Sequence, residues 1–313
     1  MITQAFVLGA GLGKRLRPLT DDLPKPLVPI FGKPLITFPF DHLIAAGVEW
    51  FVVNTHHLPE QFSASLGSRR YRERPLTLVH EPVLLETGGG IKNSESFLTA
   101  ENFFVYSGDI LTDLPLAPLI DEHFRAGNDV TLALRSTGLA TDVAFRDGRV
   151  IDIGNRRRHP GKYDYANISI WNRRAFARFL FGRKISFIPV LSDWIGDGGR
   201  IGGAVIEEGS WFNLTSPDDY LALHRSIAAE DWRPSFPVEP DWPVRIAPDA
   251  TVDTTAQVIG CSAIGAACTV GAEVVIEDSI LWRGAQIASR SRLKGCIVRT
   301  HRRAEGSLTD TII

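Results

Sequence analysis

Seven residues late in the chain, Ile246, Val252, Val258, Ile264, Val270, Ile276 and Trp282, recur every six positions without a slip. Two residues ahead of the first few stand small side chains, Ala250, Ala256, Ser262 and Cys268. A fixed period of this kind marks short units that cannot bury an apolar face alone and must stack on their neighbours. About three or four coils fit the length, with the register expected to loosen after Ile287. A small β-sandwich is the alternative, and the unbroken matches weigh against it.

The pattern resembles the hexapeptide repeat of left-handed parallel β-helices, in which aliphatic side chains fill a three-sided prism and only small residues fit at its corners. Before it, Glu230 to Pro243 carries Pro234, Pro237, Pro240 and Pro243 and reads as a stiff, extended linker. The expected division is therefore 1–229, a linker 230–243, and a repeat domain 244–313.

The first 229 residues follow a different rule. Apolar runs at Gln4–Leu8, Trp50–Asn54, Leu76–His80, Phe103–Tyr106 and Asp129–Leu134 predict strands, and helical patterns separate them, at about 35–46, 59–66, 88–98 and 116–126. This alternation predicts an α/β fold: a Rossmann-like, mostly parallel sheet covered on both faces, with ligands at the carboxyl ends of its strands. From Asp142 the pattern turns to short strands, with Asp147-Gly148 as a hairpin turn, then to helices near 173–181 and 188–195 and a strand near 201–206. Ser216 is the expected N-cap of a last helix ending near Ala229, with Pro217 in its first turn.

Directly after the first strand come Gly9, Gly11 and Gly13, then Lys14-Arg15. Glycines let backbone N–H groups approach an anion, and Arg15 and Lys25 add full charges suited to phosphate. The pattern is not a Walker loop, because Leu8 stands six before Lys14 and Arg15 follows it. Nor is it a dinucleotide fingerprint: Lys14 occupies the third glycine position, and the second strand ends at Val53-Asn54 without an acid. What remains is another kind of phosphate loop.

Gly9-Ala10-Gly11-Leu12-Gly13-Lys14-Arg15-Leu16-Arg17-Pro18-Leu19-Thr20, then Pro24-Lys25-Pro26-Leu27-Val28-Pro29 and Gly32-Lys33-Pro34, resembles the signature of sugar-1-phosphate nucleotidylyltransferases. The resemblance implies transfer of a nucleotidyl group from an NTP to a sugar 1-phosphate, with pyrophosphate released. It implies that Arg15, Lys25 and Asp109 are catalytic, and that Leu8, Gly9, Ala10, Gly11, Gly13, Lys14 and Asn54 bind nucleotide. Asp109, in Ser107-Gly108-Asp109, stands where the family binds Mg²⁺. Trp211-Phe212-Asn213 matches the second metal segment, with Asn213 in place of the usual Asp and Thr215 in place of the usual Gly. Some uridylyltransferase branches also carry Asn there.

Leu85-Glu86-Thr87-Gly88-Gly89-Gly90-Ile91 resembles the nucleobase loop of N-acetylmuramate-1-phosphate uridylyltransferases, with mannose- and heptose-1-phosphate guanylyltransferases as near relatives. Glu86, Thr87, Gly88 and Gly89 are thus expected at the base and ribose, and UTP or GTP as donor. The family's Glu-Lys-Pro motif is missing. Among Arg156, Arg157, Arg158 and Lys162, Lys162 is the candidate for the sugar phosphate, and Asn167 stands where relatives place a Gly facing the sugar. His56 and His57 read as polar loop residues.

Net charge −2 argues against nucleic acid as a partner. No run approaches about 18 apolar residues and no basic-then-apolar leader opens the chain, so neither a membrane span nor a signal peptide is expected. Cys261, Cys268 and Cys296 show no metal spacing and read as small buried residues of a cytoplasmic protein. A β-helix this short is expected to pack against the catalytic part or a second subunit, giving a homo-oligomer. Two further readings stay open: a non-catalytic homologue that binds a nucleotide sugar and regulates a paralogue, and a hexapeptide acyltransferase, for which His301 is the only histidine after the linker.

Overall fold

The computed structural model describes residues 1–67 and 69–313. Contacts divide the chain into two compact units that do not follow sequence order: Met1–Leu12 with Phe38–Trp211, and Gly13–Thr37 with Phe212–Ile313. This division cuts the chain in other places than composition suggests. Among the described residues no helix is long and apolar enough to cross a membrane.

The first unit is built on a ten-stranded sheet. Gln4–Leu8 lies at its centre, parallel to Trp50–Thr55 on one side and Asn102–Ser107 on the other, and Arg74–His80 continues in parallel beyond Trp50–Thr55. Asp164–Asn172 runs antiparallel between Asn102–Ser107 and Val130–Arg135. Val130–Arg135 therefore ends on the same edge as Leu8 and Ser107. Phe6, Val52, Val105, Leu132 and Trp171 belong to one buried cluster, as expected for strands covered on both faces. Helices α1 (Thr37–Ala45), α2 (Pro59–Leu66), α3 (Glu86–Asn93), α4 (Ala117–Ala126) and α5 (Phe187–Gly196) connect the strands.

Two expectations shift. Helix α3 begins at Glu86 and stops at Asn93, short of the expected Leu98, and Ser94 donates its hydroxyl to the Gly90 carbonyl at the C-cap. Arg173–Arg178 is a 3₁₀ turn capped by the Asn172 side chain on the Arg174 N–H, where a longer helix was expected.

In the second unit, helix α6 (Pro217–Glu230) opens with a capping box between Ser216 and Asp219. The repeat forms three parallel faces: a four-stranded one starting at Thr251–Val252, a four-stranded one starting at Gln257–Ile259, and a three-stranded one starting at Ala263–Ile264. Ile264, Val270, Ile276, Leu281, Ile287, Leu293 and Val298 are its buried interior, consistent with the expected left-handed β-helix. Each such side chain contributes about 1.5–3 kcal/mol by leaving water. Trp282 is a correction. Ile264 pairs with Leu281, so the step from Ile276 is five residues instead of six, and Leu281 takes the interior place. Trp282 is instead buried with its indole N–H on the Tyr220 hydroxyl, 2.9 Å away. Beyond Ile287 the interior stack continues through Val298 and Ala304, but the six-residue spacing slips as expected, to five between Leu293 and Val298 and four between Ala304 and Leu308.

The proline-rich stretch is packed down. Phe236 and Trp242 are buried, the Trp242 indole N–H donates to the Ile30 carbonyl (2.9 Å), and Glu239 pairs with Lys33 at 2.7 Å.

Candidate active site

Parallel strands end with their carbonyls and following loops on one edge, and four of those loops in the first unit carry sequence-predicted residues. Leu8 pairs with Asn54 on one side and Ser107 on the other, so Gly9 and Gly108-Asp109 leave the sheet side by side, with Asn54 still in its strand next to Gly9. The Gly108 N–H donates to the Leu8 carbonyl at 2.9 Å. A Cβ at Gly9 would stand 2.7 Å from the Asn54 carbonyl oxygen, which is why only glycine fits this first turn.

The Gly9 N–H points inward and donates to Asn54 Oδ1 at 2.9 Å. Asn54 Nδ2 donates to Glu81 Oε1 (2.7 Å), and Glu81 Oε2 accepts the Leu85 N–H (2.9 Å). Both side chains are buried, Asn54 at 1% exposure and Glu81 at 0%. Asn54, expected at the nucleotide, thus spends both polar atoms inside the protein and ties the Gly9 turn to the loop that launches α3. Glu81 completes that strut and was missed by sequence reasoning. Its only signal was a carboxylate directly after an apolar strand and before Pro82.

Glu86 starts α3 with φ 61°, and its half-exposed carboxylate lies 3.8 Å from Lys184. The Thr87 hydroxyl accepts the Phe187 N–H at 3.0 Å. Gly88 and Gly89 donate their N–H groups to the Ile185 carbonyl, at 2.8 and 3.0 Å. Added Cβ atoms there would meet the Ile185 and Arg183 carbonyl oxygens, so the close approach of chain 183–187 requires glycine at both positions.

Asp109 is half-buried, and its Oδ1 accepts the Ser107 hydroxyl at 2.8 Å. Among the described residues no three His, Cys, Asp or Glu side chains gather as a metal site. A magnesium ion that arrives on nucleotide phosphates needs only one or two oxygens from the protein, and a partly exposed carboxylate at a strand end fits that demand.

Of the two residues expected at the sugar, Asn167 lies where Asp164–Asn172 breaks register between Tyr165 and Ser169, with φ 63°. Asn is among the few residues that tolerate this left-handed conformation. Lys162 is exposed, its ammonium 5.3 Å from the Tyr163 ring centroid. Asp164 was also missed. It accepts the N–H groups of Thr137, Gly138, Ala140 and Thr141 and the Thr137 hydroxyl, shaping the loop after Arg135. Burial raises its pKa, but these hydrogen bonds outweigh burial and hold the carboxyl below its ordinary value.

Gly13, Lys14, Arg15, Lys25 and Asn213 belong to the second unit. Gly13 adopts φ 59°, and a Cβ on it would stand 2.9 Å from Thr20 Cγ2 and 3.2 Å from Lys25 Cβ. The Thr20 hydroxyl donates to the Gly13 carbonyl at 2.9 Å, so this turn, Thr20 and Lys25 form one packed knot. Lys14 and Arg15 are exposed, whereas Lys25 is 8% exposed. Asn213 is half-buried ahead of a turn set by Asp219, which accepts the Thr215 and Ser216 N–H groups, each at 2.9 Å.

Residues 4–145 match the Nucleotidyl transferase family. A mannose-1-phosphate guanylyltransferase of Mycobacterium tuberculosis is 28% identical over 308 residues, covering 94% of this chain and 82% of the relative. An N-acetylmuramate alpha-1-phosphate uridylyltransferase of Caulobacter vibrioides is 32% identical over 238 residues, covering 72% of this chain and 96% of the relative. Among solved structures, the inositol-1-phosphate CTP transferase from T. maritima is similar in fold, with TM-score 0.56 at 23% identity, over 70% of this chain and 91% of that one.

Proposed function

Because the chain belongs to the nucleotidyl transferase family, we propose that it joins an NTP to a sugar 1-phosphate, releasing pyrophosphate and an NDP-sugar. The convergence of the Gly9 turn, the Asn54–Glu81 strut, the α3 loop and Asp109 on one sheet edge carries the reading. UTP and GTP are the donors favoured. GTP has the further support that the M. tuberculosis relative, which is similar over 94% of this chain, is named a guanylyltransferase.

A phosphate oxygen of the sugar 1-phosphate attacks the α-phosphorus. A new P–O bond forms as the bond from that phosphorus to the bridging oxygen breaks, and pyrophosphate carries off the electron pair. No protein nucleophile is required, so the protein contributes position and charge. By residue chemistry and place in the motif, Arg15 and the glycine-turn backbone take the phosphates that leave, and Lys25 offsets charge gathering at the α-phosphate. The Gly9 N–H is already used by Asn54, so that residue shapes the turn rather than donating to the ligand. Asp109 and Asn213 are the candidate holders of Mg²⁺, which when bound neutralises phosphate charge. Lys162 and Asn167 are assigned to the sugar phosphate side. The protein is proposed to work in the cytoplasm, as a homo-oligomer through or around the β-helix.

Lys25→Ala and Asp109→Ala are expected to remove pyrophosphate release while the circular dichroism spectrum persists. Near-wild-type rates in either variant would overturn the assignment. A matrix of UTP, GTP, CTP, ATP and dTTP against N-acetylmuramate, mannose, glucose, N-acetylglucosamine and heptose 1-phosphates identifies the pair.

A further inference from the structure

Gly13–Thr37 carries Lys14, Arg15 and Lys25, and by contacts it groups with α6 and the β-helix. Within it, Pro29–Ile30 and Lys33–Pro34 form a hairpin whose two turn residues, Phe31 and Gly32, both have positive φ (47° and 80°). Phenylalanine seldom takes that conformation, so something must hold it. The Phe31 N–H donates to His224 Nε2 (3.3 Å) while His224 Nδ1 donates to the Tyr220 carbonyl (2.9 Å). The Tyr220 hydroxyl donates to the Pro29 carbonyl at 2.6 Å and in turn accepts the Trp282 indole N–H of the β-helix at 2.9 Å. A second tie lies at the last coils. Arg299 Nη1 donates to the Pro18 carbonyl (3.0 Å) and to Asp22 Oδ2 (2.7 Å), and Arg302 reaches the same carboxylate oxygen at 3.0 Å. The Arg299 side chain is 14% exposed, so this pair is shielded from solvent on one side.

Both ties grip backbone carbonyls, Pro18 on one side of Lys25 and Pro29 on the other. Neither is needed for the β-helix to stack, since its interior is filled by its own aliphatic residues. We propose that the β-helix is a positioning element for the phosphate-handling segment, acting through Trp282–Tyr220 on Pro29 and through Arg299 on Pro18 and Asp22. The inference rests on the reading that Arg15 and Lys25 hold the NTP phosphates. It makes Trp282, Tyr220 and Arg299 positioning residues for a reaction they do not touch.

The test uses the full-length protein and steady-state pyrophosphate release, with NTP and sugar 1-phosphate varied in turn. Arg299→Met is expected to raise the KM for NTP about tenfold, because small displacements of binding groups have effects of this order or larger. The KM for the sugar phosphate stays within about twofold, and Arg299→Lys, which keeps a charge for Asp22, recovers most of the loss. Tyr220→Phe removes a single oxygen, is expected to act in the same direction, and keeps the test valid should Arg299→Met fold poorly. Wild-type NTP kinetics in both variants overturn the inference. So does an equal rise in both KM values without recovery in Arg299→Lys, which is what general destabilisation gives. Lys25→Ala is run alongside. If it turns over normally, the phosphate reading itself fails; if it is inactive while Arg299→Met and Tyr220→Phe are normal, only the positioning role fails.

Discussion

Exchanging the polarity of the Asn54–Glu81 strut tests how the candidate site is held together. Reading outward from the turn, the Gly9 N–H donates to Asn54, Asn54 donates to Glu81, and at the far end the Leu85 N–H also donates to Glu81. Both termini of this chain of bonds are donors, so one member must accept on both sides. The carboxylate of Glu81 is that member. In Glu81→Gln the new amide faces Leu85 N–H or Asn54 Nδ2 with a donor, and flipping Asn54 only moves the conflict to the Gly9 N–H. A lost charge-assisted bond plus a buried unpaired donor costs about 2–3 kcal/mol. Asn54→Asp creates the opposite fault, two carboxylate oxygens facing each other where 2.7 Å now separates donor and acceptor. That fault is relieved by one shared proton, so this variant regains stability as pH falls. Asn54→Asp combined with Glu81→Gln restores an unbroken sequence of donors and acceptors with the acceptor at the other position and the net charge unchanged. Urea titrations followed by tryptophan fluorescence should show each single variant destabilised and the double variant recovering at least about 2 kcal/mol over their sum. The KM for NTP should follow the same order, since Gly9 begins the turn proposed to take the phosphates. Additive losses, or single variants as stable as wild type, would refute the strut.

Gly13→Ala must place a Cβ against Thr20 and Lys25 in a left-handed conformation. It should cost about 1–3 kcal/mol and lower kcat/KM by at least tenfold, read by thermal unfolding and pyrophosphate release. Buried His42, His123 and His224 have pKa values pushed down by burial, to about 3, 4 and 4. Their native forms stay neutral while the unfolded chain takes up protons below about 6.5, so stability is full above that pH and falls towards pH 4. Each contributes a slope of about 1.4 kcal/mol per unit, and a urea midpoint unchanged from pH 7 to 5 would contradict this. The Asp164 carboxyl is held low, so its contribution is full above its ordinary value of 3.8 and is lost as pH falls through the lower folded value. Asp164→Asn should remove that acid dependence and speed amide exchange at 137–141 at neutral pH, measured by hydrogen exchange.

The main sheet was legible because strands buried on both faces are written as continuous apolar runs, such as Phe103–Tyr106. The prism was legible because its interior admits aliphatic side chains at a fixed spacing. Trp282 misled for a simple reason: it is apolar at the sixth position, while the residue that fills the prism, Leu281, is apolar too. Glu81 and Asp164 were unreadable because what identifies them is a set of N–H groups elsewhere in the chain, and no local pattern reports a donor. Gly88 and Gly89 showed that a close approach was needed but not of what, since chain 183–187, which makes it, lies nearly a hundred residues away in sequence. The positive φ of Asn167 is a property of backbone that no side-chain pattern announces.

The residue missing between Ile276 and Leu281 has a geometrical consequence. A prism of identical coils nearly maps onto itself when turned by one face and advanced by a third of a coil, so a neighbour packing on it meets several near-equivalent docking positions. Uneven steps, five residues from Ile276 to Leu281 and again from Leu293 to Val298, remove that degeneracy, and the first turns one tryptophan outward on one face at one level. Only there does an indole N–H meet Tyr220. The repeat thereby acquires an orientation, with Trp282 as its address.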